Sequence, residues 1–191
     1  ILSSGLCEAQ NGEAHPGAEL YLTRGCYGCH GFAGGQKTLD TPNITGQNKV
    51  YMLDQMRYIG DGRRLGLPNE AGDTTAGMRG VLHYVPQEDV DKIVDYLSRL
   101  PLAKPVPLPS PLTEQQKREA QQIFDKIGCA GCHGPNGQSP AKPEYPILAG
   151  QTRTYLRRQL SYFRDLARTT GQSQVMEGKI HELSDKQIEL L

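Results

Sequence analysis

Three observations predict that this 191-residue chain is an all-α protein made of two small domains in tandem. The pentapeptide Cys-x-x-Cys-His occurs twice, at 26–30 and 129–133. The same order of helical patterns surrounds both copies, which indicates a repeated structural unit. A proline-rich stretch at 101–112 separates the two halves and is typical of a semi-rigid linker.

The repeat sets the expected domain boundaries. We predict an N-terminal extension at 1–16, a first domain at 17–100, the linker at 101–112 and a second domain at 113–191. Only 37% of the residues are hydrophobic and there is no Trp, which is a lean composition for domains this small. A large apolar cofactor in each core would supply the missing apolar mass.

The duplicated pentapeptide is typical of covalent haem c attachment. Two thiols about one helical turn apart reach the two vinyl groups on one haem edge, and the adjacent histidine then points its imidazole at the iron. The candidate attachment residues are Cys26, Cys29, Cys129 and Cys132, and the candidate proximal ligands are His30 and His133. Zinc knuckles and thioredoxin-like sites also contain Cys-x-x-Cys, but this chain lacks the four-ligand loop of the first and the βαβ pattern of the second. The sequence therefore predicts two covalently bound haem c groups.

A helix is predicted to run into each motif. Residues 18–25 and 120–128 both read as amphipathic helices that end at a glycine before the first cysteine, with Tyr21 and Phe124 in matching positions. Before the second of these helices, a threonine is followed three residues later by a glutamine, the pattern of a capping box.

A loop with the pattern Pro-x-aliphatic-small-Gly-Gln follows each motif, at 42–47 and 146–151. A proximal histidine needs an acceptor for its second ring N–H, which fixes the tautomer and the ring orientation. We expect the carbonyl oxygens of Pro42 and Pro146 to be those acceptors. The alternative is an ordinary proline turn.

The next predicted helices, 50–58 and 154–163, repeat tyrosine, aliphatic and glutamine positions in register. Met52 and Met56 stand where the second half has leucines, so we interpret them as core residues rather than as iron ligands. The loop that follows in the first half, within 59–76, is longer than its counterpart. A tolerated surface loop is the favoured interpretation, and a partner site is the alternative.

The other two methionines, Met78 and Met176, both fit Met-x-Gly-x-aliphatic-His. We predict that they are the distal ligands, because a thioether is soft, favours ferrous iron and raises the reduction potential relative to a second histidine. His83 and His181 end the same pattern and are the competing candidates.

A last amphipathic helix is predicted at 86–100, and the second half begins the same element at 183–191. The second copy has only about two turns, which is marginal for an isolated helix. We therefore expect the natural chain to continue beyond Leu191.

With these motifs the chain resembles the dihaem cytochrome c4 family over roughly 17–191. The resemblance implies a tandem pair of class I cytochrome c domains, each wrapped around its haem and related by a pseudo-twofold axis, with the propionate edges close together. It also implies iron ligation by His30 with Met78 and by His133 with Met176.

The expected function is single-electron transfer between a respiratory donor, such as a quinol-oxidising complex or a dehydrogenase, and a terminal oxidase or reductase. One alternative is an electron-transfer subunit of a dedicated periplasmic dehydrogenase. Another is a catalytic dihaem enzyme of the peroxidase or thiosulfate dehydrogenase type. A dihaem peroxidase needs an iron with an available coordination position, whereas both halves here offer a methionine. Thiosulfate dehydrogenases resemble this architecture but use a cysteine ligand after the first motif, and the spare cysteine here, Cys7, lies before it. We therefore predict a carrier rather than an enzyme.

No run of eighteen apolar residues occurs, and haem is attached to such motifs outside the cytoplasmic membrane, so we expect a periplasmic protein. Peripheral membrane association stays open, and a lipid anchor at Cys7 is disfavoured because Leu6 precedes it. The net charge of zero divides into about −3 for 1–100 and +3 for 101–191, an asymmetry that can orient redox protein partners.

The densest basic run lies in the second half. It comprises Arg153, Arg157, Arg158, Arg164 and Arg168. We interpret it as a solvated helix face, with haem propionate binding as the alternative, and we do not expect nucleic-acid binding.

Overall fold

The computed structural model describes residues 15–32, 34–35, 41–66, 75–104 and 110–191. Throughout these ranges the regular structure is helical and contains no strand, as the sequence predicts. Cys7, almost all of the predicted N-terminal extension, and parts of the predicted linker and of the long loop in 59–76 lie outside the described residues.

The described part of the first half contains five α-helices. They are α1 (Pro16–Thr23), α2 (Tyr27–His30), α3 (Lys49–Gly60), α4 (Thr75–Tyr84) and α5 (Gln87–Arg99). The apolar face of α5 packs on α1 and α3, and the buried centre of this core is formed by Tyr21, Val94 and Leu97. Met52 is buried and Met56 packs against the same cluster, which confirms that both belong to the core.

Glycine allows α1 and α5 to cross at very short range. A Cβ atom on Gly17 would lie 2.0 Å from the carbonyl oxygen of Lys92. The start of α1 is fixed by His15, whose Nδ1 accepts a hydrogen bond from the Gly17 amide and whose Nε2 donates to Asp95. This packing joins the start of α1 to the middle of α5, and Cys26 and Tyr27 of the first motif pack against the same core.

The second half has its helices in the same order, but its last helix is shorter. Its helices are α6 (Glu114–Ile127), α7 (Ala130–His133), α8 (Arg153–Arg164), α9 (Ser173–Ile180) and α10 (Asp185–Leu190), with a 3₁₀ turn at Pro135–Gly137. The capping box predicted for α6 is confirmed, since Thr113 and Gln116 satisfy each other's backbone amides. Ile180, Leu183 and Ile188 form the buried core of this half.

The first residues of the predicted linker pass close to both loops that follow the motifs. A Cβ atom on Gly46 would lie 2.8 Å from the Leu102 amide nitrogen, and one on Gly150 would lie 2.5 Å from the Ala103 carbonyl oxygen. Both glycines also have positive φ, so a side chain there is disfavoured by the backbone conformation as well as by the close contact. The chain thus leaves the first half through a narrow path between the two loops.

Candidate functional site

A single cavity of about 430 Å³ extends from one half of the molecule into the other. Its lining includes both motif histidines, His30 and His133, and both methionines predicted to be distal ligands, Met78 and Met176. The structure therefore brings the four candidate iron ligands to one continuous space.

The two motif histidines are held in the same way. Each ends a four-residue helix, and only 7% of His30 and 5% of His133 is exposed. Nδ1 of His30 lies 3.1 Å from the carbonyl oxygen of Pro42, and Nδ1 of His133 lies 2.9 Å from that of Pro146. Because a carbonyl oxygen can only accept, each Nδ1 carries the proton and each Nε2 keeps its lone pair for a metal.

Burial lowers the pKa of both histidines below the ordinary value, while the hydrogen bond to the proline carbonyl acts in the opposite direction. Burial disfavours the charged imidazolium, so the neutral ring is the favoured form. A neutral imidazole is the form that binds iron.

The competing histidines lie elsewhere. His83 is exposed and makes an edge contact with Tyr84, with ring centroids 5.0 Å apart. His181 has a side chain that is 58% exposed and lies 3.7 Å from Glu182. Within the described part of the chain, neither histidine lines the cavity.

The four motif cysteines are free of disulfides. Cys129 and Cys132 line the cavity, while Cys26 is half-buried and Cys29 is exposed. Burial raises the pKa of the Cys26 and Cys129 thiols. None of these four cysteines is paired with another cysteine, as thioether attachment requires.

A buried polar cluster closes the cavity between the halves, and its members correspond in pairs. They are Tyr51, Gln55 and Arg64 from the first half and Tyr155, Gln159 and Arg168 from the second. Each guanidinium donates one Nη to the glutamine of its own half and the other Nη to the tyrosine and glutamine of the opposite half. The two arginines therefore join the halves symmetrically.

The interpretation of the basic run as a solvated helix face was wrong for two of its five members. Arg157 is exposed, but Arg158 and Arg168 are only 8% and 7% exposed. Burial, and after it the nearby charge of Arg64, lowers the pKa of Arg168. One side of α8 faces the cavity, and Arg158 lies on that side. Arg168 lies beyond the end of α8 and contacts the first half.

Two buried atoms of this region show which kind of group the cavity accepts. Among the described residues, Nε of Arg168 and Oγ1 of Thr170 are buried side-chain atoms without a hydrogen-bond partner. Buried donors of this kind require an acceptor. A haem carries two carboxylates on an apolar ring, so the unpartnered donors, the apolar lining and the ligand residues together fit that group.

A second set of contacts crosses between the two loops. The Gln151 side chain accepts from the Asn43 amide and donates to the Asn43 carbonyl, both at 2.9 Å. The Gln47 side chain makes the same pair of bonds with Ile147, both at 2.8 Å. These glutamines end the repeated loop pattern, but their role depends on contacts between halves that one half alone does not reveal.

Sequence reasoning also missed Arg64. Its signal was present in the repeat, because Tyr51, Gln55 and Arg64 have the same spacing as Tyr155, Gln159 and Arg168. A position that keeps an arginine in both copies and follows the same helix is a candidate for a shared role.

The fold and the two motifs define a class, the c-type cytochromes with two haem domains in one chain. A family model for cytochrome c matches residues 14–101 and again 118–191. Cytochrome c4 of Azotobacter vinelandii is 31% identical over 190 residues, which cover 93% of this chain and 88% of that protein. The chain belongs to the cytochrome c4 family and carries two covalently bound haem c groups.

Two further proteins are similar to most of the chain. The crystal structure of reduced recombinant cytochrome c4 from Pseudomonas stutzeri superposes with a TM-score of 0.74 at 28% identity, covering 94% of this chain and 95% of that one. A thiosulfate dehydrogenase electron acceptor of Thiomonas intermedia is 28% identical over 168 residues, which cover 85% of this chain and 73% of that protein. No helix in the described ranges is long and apolar enough to cross a membrane.

Proposed function

We propose that this cytochrome is a periplasmic electron carrier, which takes single electrons from a respiratory donor and passes them to a terminal oxidase or reductase. The observation that carries the proposal is the presence of His30, His133, Met78 and Met176 on one cavity, which the core residues Met52 and Met56 also line. In this assignment His30 and Met78 bind the first iron, and His133 and Met176 bind the second.

The protein's own residues account for the requirements of electron transfer. Ligand pairs on both sides of each iron would leave no coordination position for a substrate, which favours transfer over catalysis. Haem supplies the one-electron chemistry, while the protein supplies the axial ligands, the burial and the hydrogen bonds to the histidines. The Arg64 and Arg168 cluster is suited to hold the propionates between the two domains.

The relative named as a thiosulfate dehydrogenase electron acceptor favours a second candidate, in which a sulfur-oxidising dehydrogenase delivers the electrons. In both candidates the partners are redox proteins and the chain is an electron carrier rather than the enzyme.

Optical spectroscopy during a redox titration tests the ligand assignment. We expect two one-electron waves at high potential, with the weak near-infrared sulfur-to-iron band present on both oxidised haems. A high-spin haem, a missing sulfur band or peroxide turnover by the purified protein would contradict the carrier assignment.

Stopped-flow reduction then separates the donors. The oxidised protein is mixed with a quinol-oxidising complex in one experiment and with a thiosulfate-oxidising dehydrogenase and its substrate in another. Rapid reduction by the first alone supports the respiratory chain, and rapid reduction by the second alone supports the sulfur-oxidising route.

A further inference from the structure

The peptide group between Pro42 and Asn43 makes hydrogen bonds at both ends. Its carbonyl oxygen faces Nδ1 of His30 at 3.1 Å. Its N–H, which belongs to Asn43, donates to Oε1 of Gln151 in the opposite domain at 2.9 Å. One planar, conjugated amide therefore connects a histidine of the first domain with a glutamine of the second.

The reverse connection exists on the other side of the interface. The carbonyl oxygen of Pro146 faces Nδ1 of His133 at 2.9 Å, and the N–H of Ile147, in the same peptide group, donates to Oε1 of Gln47 at 2.8 Å. Each domain thus reaches the hydrogen-bond acceptor of the other domain's motif histidine.

The glutamines hold these peptide groups rigidly. Each side chain also donates its Nε2 to the carbonyl of the residue that it binds, and each Oε1 accepts the backbone N–H that follows its own residue. Asn43 and Gln47 are 7% and 8% exposed, so solvent screens these dipoles little. A contact of this kind is suited to transmit an electrostatic effect rather than only to fasten two surfaces.

We propose that Gln151 and Gln47 are positioning residues that act across the domain boundary, each setting the donor strength of the proximal histidine in the opposite domain. The inference rests on the proposed function, since it takes His30 and His133 as iron ligands.

The direction of the effect follows from hydrogen-bond polarisation. When Gln151 accepts from the Asn43 N–H, electron density shifts toward the Pro42 carbonyl oxygen, and bonds in such a chain strengthen one another by about 10 to 30%. A stronger acceptor draws the Nδ1 proton of His30 and makes its imidazole a stronger donor. A stronger donor stabilises ferric iron, so the contact lowers the reduction potential of the first haem.

The test is a crossed pair of variants in the full-length protein with both haems bound. Gln151→Leu is expected to raise the potential of the first haem and to leave the second nearly unchanged. Gln47→Leu is expected to raise the potential of the second haem and to leave the first nearly unchanged. The two waves are assigned by the NMR signal of the axial methionine methyl group that Met78→His removes.

The control is Asn48→Ala. Nδ2 of Asn48 donates to the Tyr145 carbonyl at 2.6 Å, so this variant also removes a hydrogen bond between the domains, but it spares both linking peptide groups. It is expected to loosen the interface without moving either potential. Equal shifts in all three variants would show that the glutamines only fasten the domains together.

A second readout does not depend on the potentials. In the reduced, diamagnetic protein, the Nδ1 proton resonance of His30 is expected to move upfield in Gln151→Leu, while that of His133 stays in place. Shifts confined to the haem of the glutamine's own domain, or no shift at all, would overturn the proposal. Loss of the methionine signals already in the unmodified protein would instead refute the ligand assignment under "Proposed function".

Discussion

Each motif histidine is fixed in one tautomer by the proline carbonyl that its Nδ1 faces, at 3.1 Å for His30 and at 2.9 Å for His133. Fixing the ring in advance removes rotamer and tautomer choices that would otherwise oppose metal binding. In the proposed assignment a methionine completes each site, and Met78 and Met176 are held differently. Met176 packs against a buried cluster, whereas α4, which carries Met78, has no buried residue.

A ligand exchange at the first haem tests the methionine assignment. Met78→His is expected to lower the potential of that haem markedly and to abolish its sulfur-to-iron band, since histidine favours ferric iron more than a thioether does. The measurement is a redox titration followed in the visible and near-infrared. Met56→Leu is the matched control, because Met56 packs against the core and a swap of similar volume costs less than about 1.5 kcal/mol. Loss of the sulfur band in the control would make Met56 the ligand.

At the scale of the elements, helix periodicity and the motif repeat predicted most of what the structure shows. The amphipathic pattern at 86–100 became α5, and the capping signal at Thr113 became the start of α6. The buried arginines were predicted poorly, because hydropathy treats a guanidinium as a surface group. Only contacts from a second element make burial of Arg168 favourable, and single-helix patterns do not contain that information.

Two glycines, one at the crossing of α1 and α5 and one on α4, give stability predictions of opposite sign. Gly17→Ala is expected to destabilise the first domain by about 1 to 3 kcal/mol, because the new methyl group would overlap the Lys92 carbonyl. Gly80→Ala on α4 meets nothing within 4 Å and is expected to stabilise the helix by about 0.5 to 1 kcal/mol. Denaturant unfolding measures both. Equal free energies of unfolding for the two variants would contradict the close crossing.

Asp95 on α5 predicts a pH dependence. Its carboxylate accepts from Lys49, Arg99 and His15, and these bonds hold its pKa well below the ordinary value. A depressed pKa in the folded state means that the stabilisation is complete above the ordinary aspartate pKa of about 3.9 and is lost as the pH falls further.

Asp95→Asn is therefore expected to cost up to about 1 kcal/mol at pH 7, a small figure because the side chain is partly exposed. In urea unfolding, the difference between the variant and the parent protein should begin to shrink at about pH 4 and continue to shrink as the pH falls further. A difference that stays the same from pH 7 to pH 3 would assign the effect to packing instead.

For the whole molecule, the sequence predicted two haem domains, because the motif and its surrounding helices occur in each half. The candidate ligands His30, Met78, His133 and Met176 line one cavity. The residue pattern did not predict which side chains join the halves. Gln47, Arg64 and Gln151 were recognisable only as repeated positions, and their partners lie about 100 residues away along the chain. Long-range pairs of this kind leave no local pattern in the sequence.

The buried arginine pair leads to a prediction for both haems. Arg168→Leu is expected to lower both potentials, because a buried cation shared by the domains stabilises the added electron on either side and is screened little by salt. Arg157→Leu, on the exposed side of α8, should change them little and only at low ionic strength. Titrations at two salt concentrations distinguish these cases. A salt-sensitive effect at Arg168 would contradict its burial in solution.

The reciprocal bonds of Gln47 and Gln151 have a consequence for how the molecule is assembled. Two copies of one surface patch meet here. Gln47 contacts Ile147, and the counterpart of Gln47, Gln151, contacts the counterpart of Ile147, Asn43, which is the isologous geometry of a homodimer. The protein is in this sense a dimer fused into one chain. The predicted linker would then raise the effective concentration of one half at the other, to millimolar order for short connections. A chain cut within that linker should still assemble its two halves, but now in proportion to how much of each is present.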